Sequence, residues 1–381
     1  MVNGNIHPTH TFLQASAGDV FNTLKTICQI PAPTFHEREK IEYLISILSS
    51  LGLKKVSIDS EGNALGFLAA DPEDSRFVLL SAHADTACEA PLPIEVKDDG
   101  KFLHAHGICD NTAGVTALLM FLKFVRKEKI ALRKNYLIAF TVGEEGLGAK
   151  RGMKAVLKEH GKKISYVVNI ESHDIGRITN ACVGQYRARL TVSAKQKGAH
   201  SWRNFGEPNA VVILSSIISD LSKMRIPKET TYNVTAVQGG KGINSIPNDA
   251  SCLLEFRAKE QGNIDAFVKR FQAILRRYKS GKVKCVPEVL AVNAAAGLPK
   301  ELPIYGITSR VQKSLGIEPF FKLGNTDGDV SLAMGIPTVT LGAGNGFATH
   351  SLEEKLEKKT YLKGIEQVIG IILALDREME R

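Results

Sequence analysis

No run of apolar residues in this chain approaches the ~18–20 that a membrane-crossing helix requires, so a membrane-spanning helix is not expected. Cysteine is sparse and scattered: Cys28, Cys88, Cys109, Cys182, Cys252 and Cys285 form no C-x-x-C pair. That excludes a cysteine-ligated zinc finger and argues against a disulfide framework. Cys88 and Cys109 lie close to the motifs below but in no nucleophile motif, and small buried hydrophobes are expected there. The opening residues, MVNGNIHPTH, lack the basic start and apolar stretch of a secretory signal, so a cytoplasmic protein is expected. No G-x-x-x-x-G-K-S/T occurs, and Gly342-Ala343-Gly344-Asn345-Gly346 misses the G-x-G-x-x-G spacing, which sets aside a nucleotide-binding enzyme.

What is present is ordinary globular material. The 381 residues are 44% hydrophobic and 23% charged, long enough for two domains with separate cores. The net charge of +9 raises the question of nucleic acid. The basic residues, however, alternate with apolar positions along stretches such as KRGMKAVLKEHGKK and KRFQAILRRYKSGK, as on solvated helix faces. No RNA-binding signature accompanies them. Nucleic-acid binding is not expected; attraction of anionic small substrates is a milder use of the charge.

The pattern along the chain changes twice. Ile41, Leu44, Ile45 and Leu48 follow helical spacing, with Gly52 as a stop. Apolar runs at Phe77–Leu80, Tyr136–Val142 and Tyr166–Ile170 are too short for helices and read as strands buried on both faces. Val115, Leu118, Leu119, Leu122 and Val125 mark a helix between two of them, so an α/β domain with a largely parallel sheet is expected. From Tyr186 the order becomes β-α-β-β-α-β, the ferredoxin-like pattern. After Leu298-Pro299 the first rhythm returns. The expected organisation is a discontinuous catalytic domain, residues 1–184 and 297–381, with an inserted module at 185–296.

Five segments at or just after strands of the α/β part carry chemistry, where sites in such sheets gather. Ser81-Ala82-His83-Ala84-Asp85-Thr86 offers an imidazole with a carboxylate two residues on; alone, a hydrogen-bonded loop histidine is the plainer explanation. Asp110, in Gly107-Ile108-Cys109-Asp110-Asn111-Thr112-Ala113-Gly114, reads alone as a helix N-cap, although a carboxylate can also bridge two cations. Glu144-Glu145 stands between glycines at the end of the most apolar strand. Adjacent carboxylates repel, and cations would relieve the cost; a solvated acidic turn is the bland alternative. Glu171 ends another strand, and His350 follows the Pro337–Leu341 strand and a glycine-rich loop. Together these supply two histidines, three carboxylates and a spare glutamate, a donor set suited to two zinc ions sharing a carboxylate.

In that order the motifs resemble the M20 family of metallopeptidases and deacylases over nearly the whole chain. The resemblance implies a zinc-exopeptidase-like α/β catalytic domain with an inserted ferredoxin-like α+β lid that also dimerises. On this likeness His83, Asp110, Glu145, Glu171 and His350 hold metal, with Asp110 bridging through a cis Asp110–Asn111 peptide. Asp85 supports His83, and Glu144 is the general base. His200, in Gly198-Ala199-His200-Ser201, steadies the oxyanion. Asn244 in the N-x-I-P-like loop and Arg257 contact substrate, as do Asn325 in Gly324-Asn325-Thr326-Asp327 and Gly342 in the glycine-rich loop. Asn111 and Glu255 depart from the commoner residues at their positions. His173 and Asp174 lie close enough to Glu171 to compete for its role, and His104 and His106 read as a polar strand face.

The implied function is hydrolysis of an amide or peptide bond in a small peptide or N-acyl amino acid, with two divalent ions, zinc first and cobalt or manganese as alternatives. The rival readings are an N-acyl amino acid deacylase rather than a peptidase, and a non-catalytic member that binds peptide or associates through the lid. Expected partners are the small substrate and a second copy of the chain, with neither nucleic acid nor membrane.

Overall fold

A computed structural model describes residues 6–68, 76–87 and 93–379; Cys88 lies outside these. The chain divides into two compact units, Met1–Cys182 with Gly297–Arg381, and Val183–Ala296.

The first unit is built on an eight-stranded mixed sheet. Its strands run in the order Lys54–Ile58, Ala64–Leu68, Tyr136–Thr141, Phe77–His83, Ile164–Glu171, Thr338–Gly342, Arg177–Thr179, Phe320–Phe321. The four central strands are mutually parallel, and antiparallel strands flank them. Every residue of Phe77–His83 and of Tyr136–Thr141 is buried, which is why both read as continuous apolar runs rather than alternating ones. Helices cover the sheet. Gly114–Lys127 and Lys358–Glu378 supply much of the main core, through residues such as Leu118, Phe121, Ile365 and Ile369. Each such side chain taken from water contributes roughly 1.5–3 kcal/mol.

One run is longer than the sequence reading allowed. The run Ile108–Lys127 is 20 residues long and apolar enough to cross a membrane by length and composition. Asp110, Asn111 and the polar Thr112 and Thr116 mask it in the sequence. It is not one continuous helix, since Asp110 and Asn111 leave helical geometry ahead of Gly114–Lys127, and 94% of its apolar window is buried in the fold.

The second unit is a four-stranded antiparallel sheet in the order Thr230–Gly239, Asp249–Ala258, Gly184–Ala194, Val283–Asn293, with helices Ala210–Ser222 and Gln261–Tyr278. Counted along the unit that order is 2-3-1-4, the ferredoxin-like arrangement. Its own core, with Phe256 stacked on Phe267 at 4.1 Å between ring centroids, comes from the alternating inward positions of the strands.

Candidate metal centre

The parallel register aligns the carboxyl ends of the central strands. His83 stands opposite Thr141, and Gly342 opposite Glu171. The donors therefore emerge from neighbouring strand ends, while the remaining ones arrive on loops.

His83 is fully buried. Its Nδ1 lies 3.1 Å from the Asp85 carbonyl oxygen, and its Nε2 is 3.1 Å from Asp110 Oδ1 and 3.6 Å from Glu171 Oε2. Asp85 also receives the backbone N–H groups of Glu144 and Glu145, each at 3.0 Å, and the Thr34 hydroxyl at 2.8 Å. Asp85 thus fixes the histidine through its carbonyl oxygen and the double-glutamate turn through its carboxylate. Burial opposes its ionisation, but His83 and the two N–H groups hold its pKa below the ordinary value. On the next strand Asn169 accepts from the Ser81 hydroxyl at 2.9 Å and donates to Glu171 Oε1 at 3.3 Å, orienting that carboxylate.

Asp110 sits in a kinked turn ahead of the Gly114–Lys127 helix, and its peptide bond to Asn111 is cis. The turn is held by a residue the sequence reading passed over. Buried Glu354 accepts backbone N–H groups from Gly107 at 3.0 Å, Cys109 at 2.7 Å and Asp110 at 2.9 Å. Because Glu354 lies four positions beyond His350, the same contacts draw His350 to Asp110 across 240 residues of sequence. There His350 Nε2 is 3.1 Å from Asp110 Oδ2 and 2.9 Å from Glu145 Oε1.

Two overlapping donor groups result, His83 with Asp110 and Glu171, and Asp110 with Glu145 and His350; the atoms within each group lie within 4.8 Å of one another. His83 also groups with Glu144 and Glu145. Asp110 belongs to both main groups and presents a different oxygen to each histidine.

The ring geometry tests whether cations fit. A nitrogen facing a carbonyl oxygen must carry hydrogen, so neutral His83 has its proton on Nδ1 and turns the lone pair of Nε2 toward carboxylates. Lone pair facing carboxylate is repulsive unless a cation lies between them. The protonation equilibria report the same negative field. Burial resists the His83 cation, yet Glu171, Asp110 and Asp85 raise its pKa well above the ordinary value. Contacts with Asp110 and Glu145 lift His350 to about 10. Burial resists ionisation of Asp110 as well, and the contacts from His350 and His83 overcome it. Glu144, outside the two main groups, has its pKa raised well above the carboxylate range by burial, with the Glu145 charge adding to the effect. The residues present fit a pair of divalent ions.

Not every predicted residue joins this cluster. Exposed Asn325 accepts from the Lys150 ammonium at 3.0 Å, and buried Lys150 is in turn clamped to buried Asp329 at 2.5 Å. Asp327, adjacent in the same turn, accepts from the Thr141 hydroxyl and is raised to about 7 by burial. Gly342 leaves no room for a side chain, since an added Cβ would lie 2.2 Å from the His173 carbonyl oxygen. The His173 ring faces Arg177, and Asp174 pairs with Lys322, so neither enters the donor groups. His104 pairs with Asp99 at 2.8 Å, and His106 Nδ1 lies 3.2 Å from the Ser351 carbonyl oxygen.

His200, Asn244 and Arg257 belong to the second unit. His200 and Asn244 are exposed, and residues 200 and 245 form an isolated bridge. Arg257 donates through Nε and Nη2 to the carboxylate of Glu255, at 2.9 and 3.1 Å. Cys28, Cys109, Cys182, Cys252 and Cys285 are all buried.

The chain is similar to known proteins over most of its length. Succinyl-diaminopimelate desuccinylase of Corynebacterium glutamicum is 25% identical over 349 residues, covering 89% of this chain and 92% of the relative. Among solved structures, a tripeptidase from Staphylococcus aureus shares the fold with a TM-score of 0.77 at 21% identity, over 94% of this chain and 98% of its own. The YXEP protein of Bacillus subtilis, a dinuclear metal-binding peptidase from the M20 family, does so with a TM-score of 0.68 at 16% identity, over 94% and 99%. The sequence profile of peptidase family M20/M25/M40 matches residues 79–374, so the chain belongs to that family.

Proposed function

We propose that this protein uses two divalent metal ions to hydrolyse the amide or peptide bond of a small peptide or N-acyl amino acid. The observation that carries the reading is the sharing of Asp110 between two histidine-containing donor groups. His83, Asp110 and Glu171 would hold one ion, and Asp110, Glu145 and His350 the other. The mixture of imidazole and carboxylate suits zinc, with cobalt and manganese as alternatives. When bound, such ions supply Lewis acidity that polarises a carbonyl and acidifies water.

The protein's own groups do the rest. Asp85 holds His83 in the tautomer that aims Nε2 at the centre, and through its bonds to the Glu144 and Glu145 amides it fixes the double-glutamate turn. Glu144 accepts the proton of the attacking water and returns it to the departing amine, a task for which a raised pKa is suited. The resemblance assigns substrate contacts to His200, Asn244, Arg257, Asn325 and Gly342. For His200 the ring state supports the role. Its Nδ1 accepts from the Trp202 and Arg203 amides at 3.2 and 3.3 Å, so the ring proton sits on Nε2, where an oxyanion needs a donor. Arg257 would have to share its guanidinium with Glu255.

A relative that is a desuccinylase and a fold neighbour that is a tripeptidase keep both amide classes open. Buried thiols such as Cys28, Cys109, Cys252 and Cys285 fit a reducing, cytoplasmic compartment. The lid sheet ends in the long edge strand Thr230–Gly239, which fits a homodimer formed through that unit. The test is metal analysis of the purified protein together with chelator-sensitive hydrolysis of a dipeptide, tripeptide and N-acyl amino acid panel. About two ions per chain and chelator-blocked cleavage are expected. Full activity without metal would overturn the proposal.

A further inference from the structure

The segment 324–329 closes over the carboxyl ends of the central strands. Asp327 accepts from the hydroxyl of Thr141, the residue opposite His83 in the sheet. The Thr326 hydroxyl lies 3.4 Å from Nδ2 of Asn169, and that same nitrogen is 3.3 Å from Glu171 Oε1. Of residues 324–329 only Asn325 is exposed. It is the one side chain that the segment presents to solvent beside the strand ends that carry the donors.

Its orientation is set from beneath. Lys150 Nζ is 3.0 Å from Asn325 Oδ1. An ammonium has hydrogens to give and no lone pair to accept with, so the amide oxygen must be the atom that faces it. The NH2 group therefore points away from Lys150, and it makes no hydrogen bond among the described residues. Lys150 has little freedom to move. It is 2% exposed, and its ammonium is held by Asp329 at 2.5 Å, while Asp329 also accepts from the Thr326 amide at 2.9 Å. The clamp fixes both the Asn325 side chain and the backbone that follows it. A positive charge behind the amide oxygen polarises the group and strengthens its N–H donors, and such donors favour an anionic acceptor. Lys150 is also close enough to Glu144 that each charge acts on the protonation of the other. Asn325 thus stands one side chain from the group assigned to return a proton to the departing amine, and the nearest free carboxylate of a small substrate is the one on that departing amino acid.

Resting on the hydrolase reading above, we propose that Lys150 is a positioning residue that holds Asn325 with its NH2 group outward, and that this group donates to the free carboxylate of the departing amino acid. The protein then prefers substrates that end in a carboxylate there over the matching carboxamides.

The experiment uses the metal-loaded protein with alanyl-leucine and N-acetyl-leucine, each beside its carboxamide. In the series that is cleaved, Asn325→Ala should raise KM for the carboxylate substrate about tenfold, the worth of one good hydrogen bond, with kcat within about twofold of the parent. Asn325→Asp has nearly the same size but turns the outward donor into an acceptor, and should raise KM further. For the carboxamides either change should move KM by less than about threefold. Because the position is exposed, both variants should keep the urea midpoint of the parent. Lys150→Met/Asp329→Asn removes the clamp, and adding Asn325→Ala to it should change KM by less than about twofold more; a purely structural Lys150 would make the effects additive. Equal KM shifts for carboxylate and carboxamide, or none, would overturn the contact whether or not the clamp variant folds, and additive effects would remove Lys150 from it. Calorimetric binding of leucine against leucinol needs no turnover. A leucine preference that vanishes in Asn325→Asp, with no substrate cleaved, would keep the contact and defeat the hydrolase. Cleavage with KM unmoved by either Asn325 variant would do the reverse.

Discussion

Glu354 offers the sharpest perturbation of the candidate metal centre that replaces none of its donors. Three buried backbone N–H groups, from Gly107, Cys109 and Asp110, end on its carboxylate. In Glu354→Ala all three lose their acceptor. An unsatisfied buried donor costs about 1–3 kcal/mol. Water entering the vacated space offsets part of this, so a net loss of about 3 kcal/mol is expected, against a total stability of about 5–15 kcal/mol for a domain. Glu354→Gln is gentler. If the amide oxygen keeps the Cys109 and Asp110 bonds, the NH2 group faces the Gly107 N–H, and about 1–2 kcal/mol goes with that one contact. Function should suffer more than stability, because the same bonds aim Asp110 and draw in His350. Partners that orient metal-binding groups are typically worth 10–100-fold in metal affinity. Urea unfolding of the metal-free protein gives the first quantity, and competition with a fluorescent chelator gives the second. A Glu354→Ala protein with wild-type unfolding midpoint and wild-type metal affinity would refute the reasoning, since it would mean that the turn holds its shape unaided.

Other outcomes follow from the same geometry. Glu144→Gln should lower kcat by about 10²–10⁴-fold while metal content measured by mass spectrometry stays near that of the parent; near-normal turnover in the metal-loaded variant would remove Glu144 from its role. Lys150→Met breaks a buried ion pair and should cost about 3–5 kcal/mol in chemical denaturation, with Lys150→Met/Asp329→Asn recovering much of it; an additive double variant would show that the pair is not coupled. In the lid, burial resists ionisation of Glu255, but Arg257, Arg187 and Gln185 hold it at about 2, against 4.5 when free. Its folded pKa is the lower one, so its contribution is complete above pH 4.5 and fades as pH falls toward 2. The stability gap between the parent and Glu255→Gln should therefore close over that interval, and a gap independent of pH would contradict the assignment.

Much of the fold was legible because it is written in periodicity. The Phe77–His83, Tyr136–Thr141 and Ile164–Glu171 strands are too apolar to face water, and in the inserted unit Asp249–Ala258 alternates along its length and Thr230–Gly239 over its first half. The residues quoted for the centre stood out because charge at the end of a buried strand has few structural uses. What stayed hidden acts at a distance. Glu353-Glu354 has the composition of a solvated turn, and nothing nearby tells that Glu354 serves a loop some 245 residues earlier in the chain. Lys150 reads as one of many surface lysines until its partner Asp329 is placed beside it, 179 residues away. Local pattern reports burial and local geometry; it does not report which distant segment completes a buried polar group.

Having one side chain common to both halves of the centre makes the halves unequal targets for change. Glu171 or His350 can be replaced and each alteration confined largely to one half, so graded variants with a single impaired position are within reach. No replacement of Asp110 is so contained: any residue there alters both donor groups at once. Sequence drift or engineering that retunes this centre has freedom at its periphery and almost none at the hinge between its two halves.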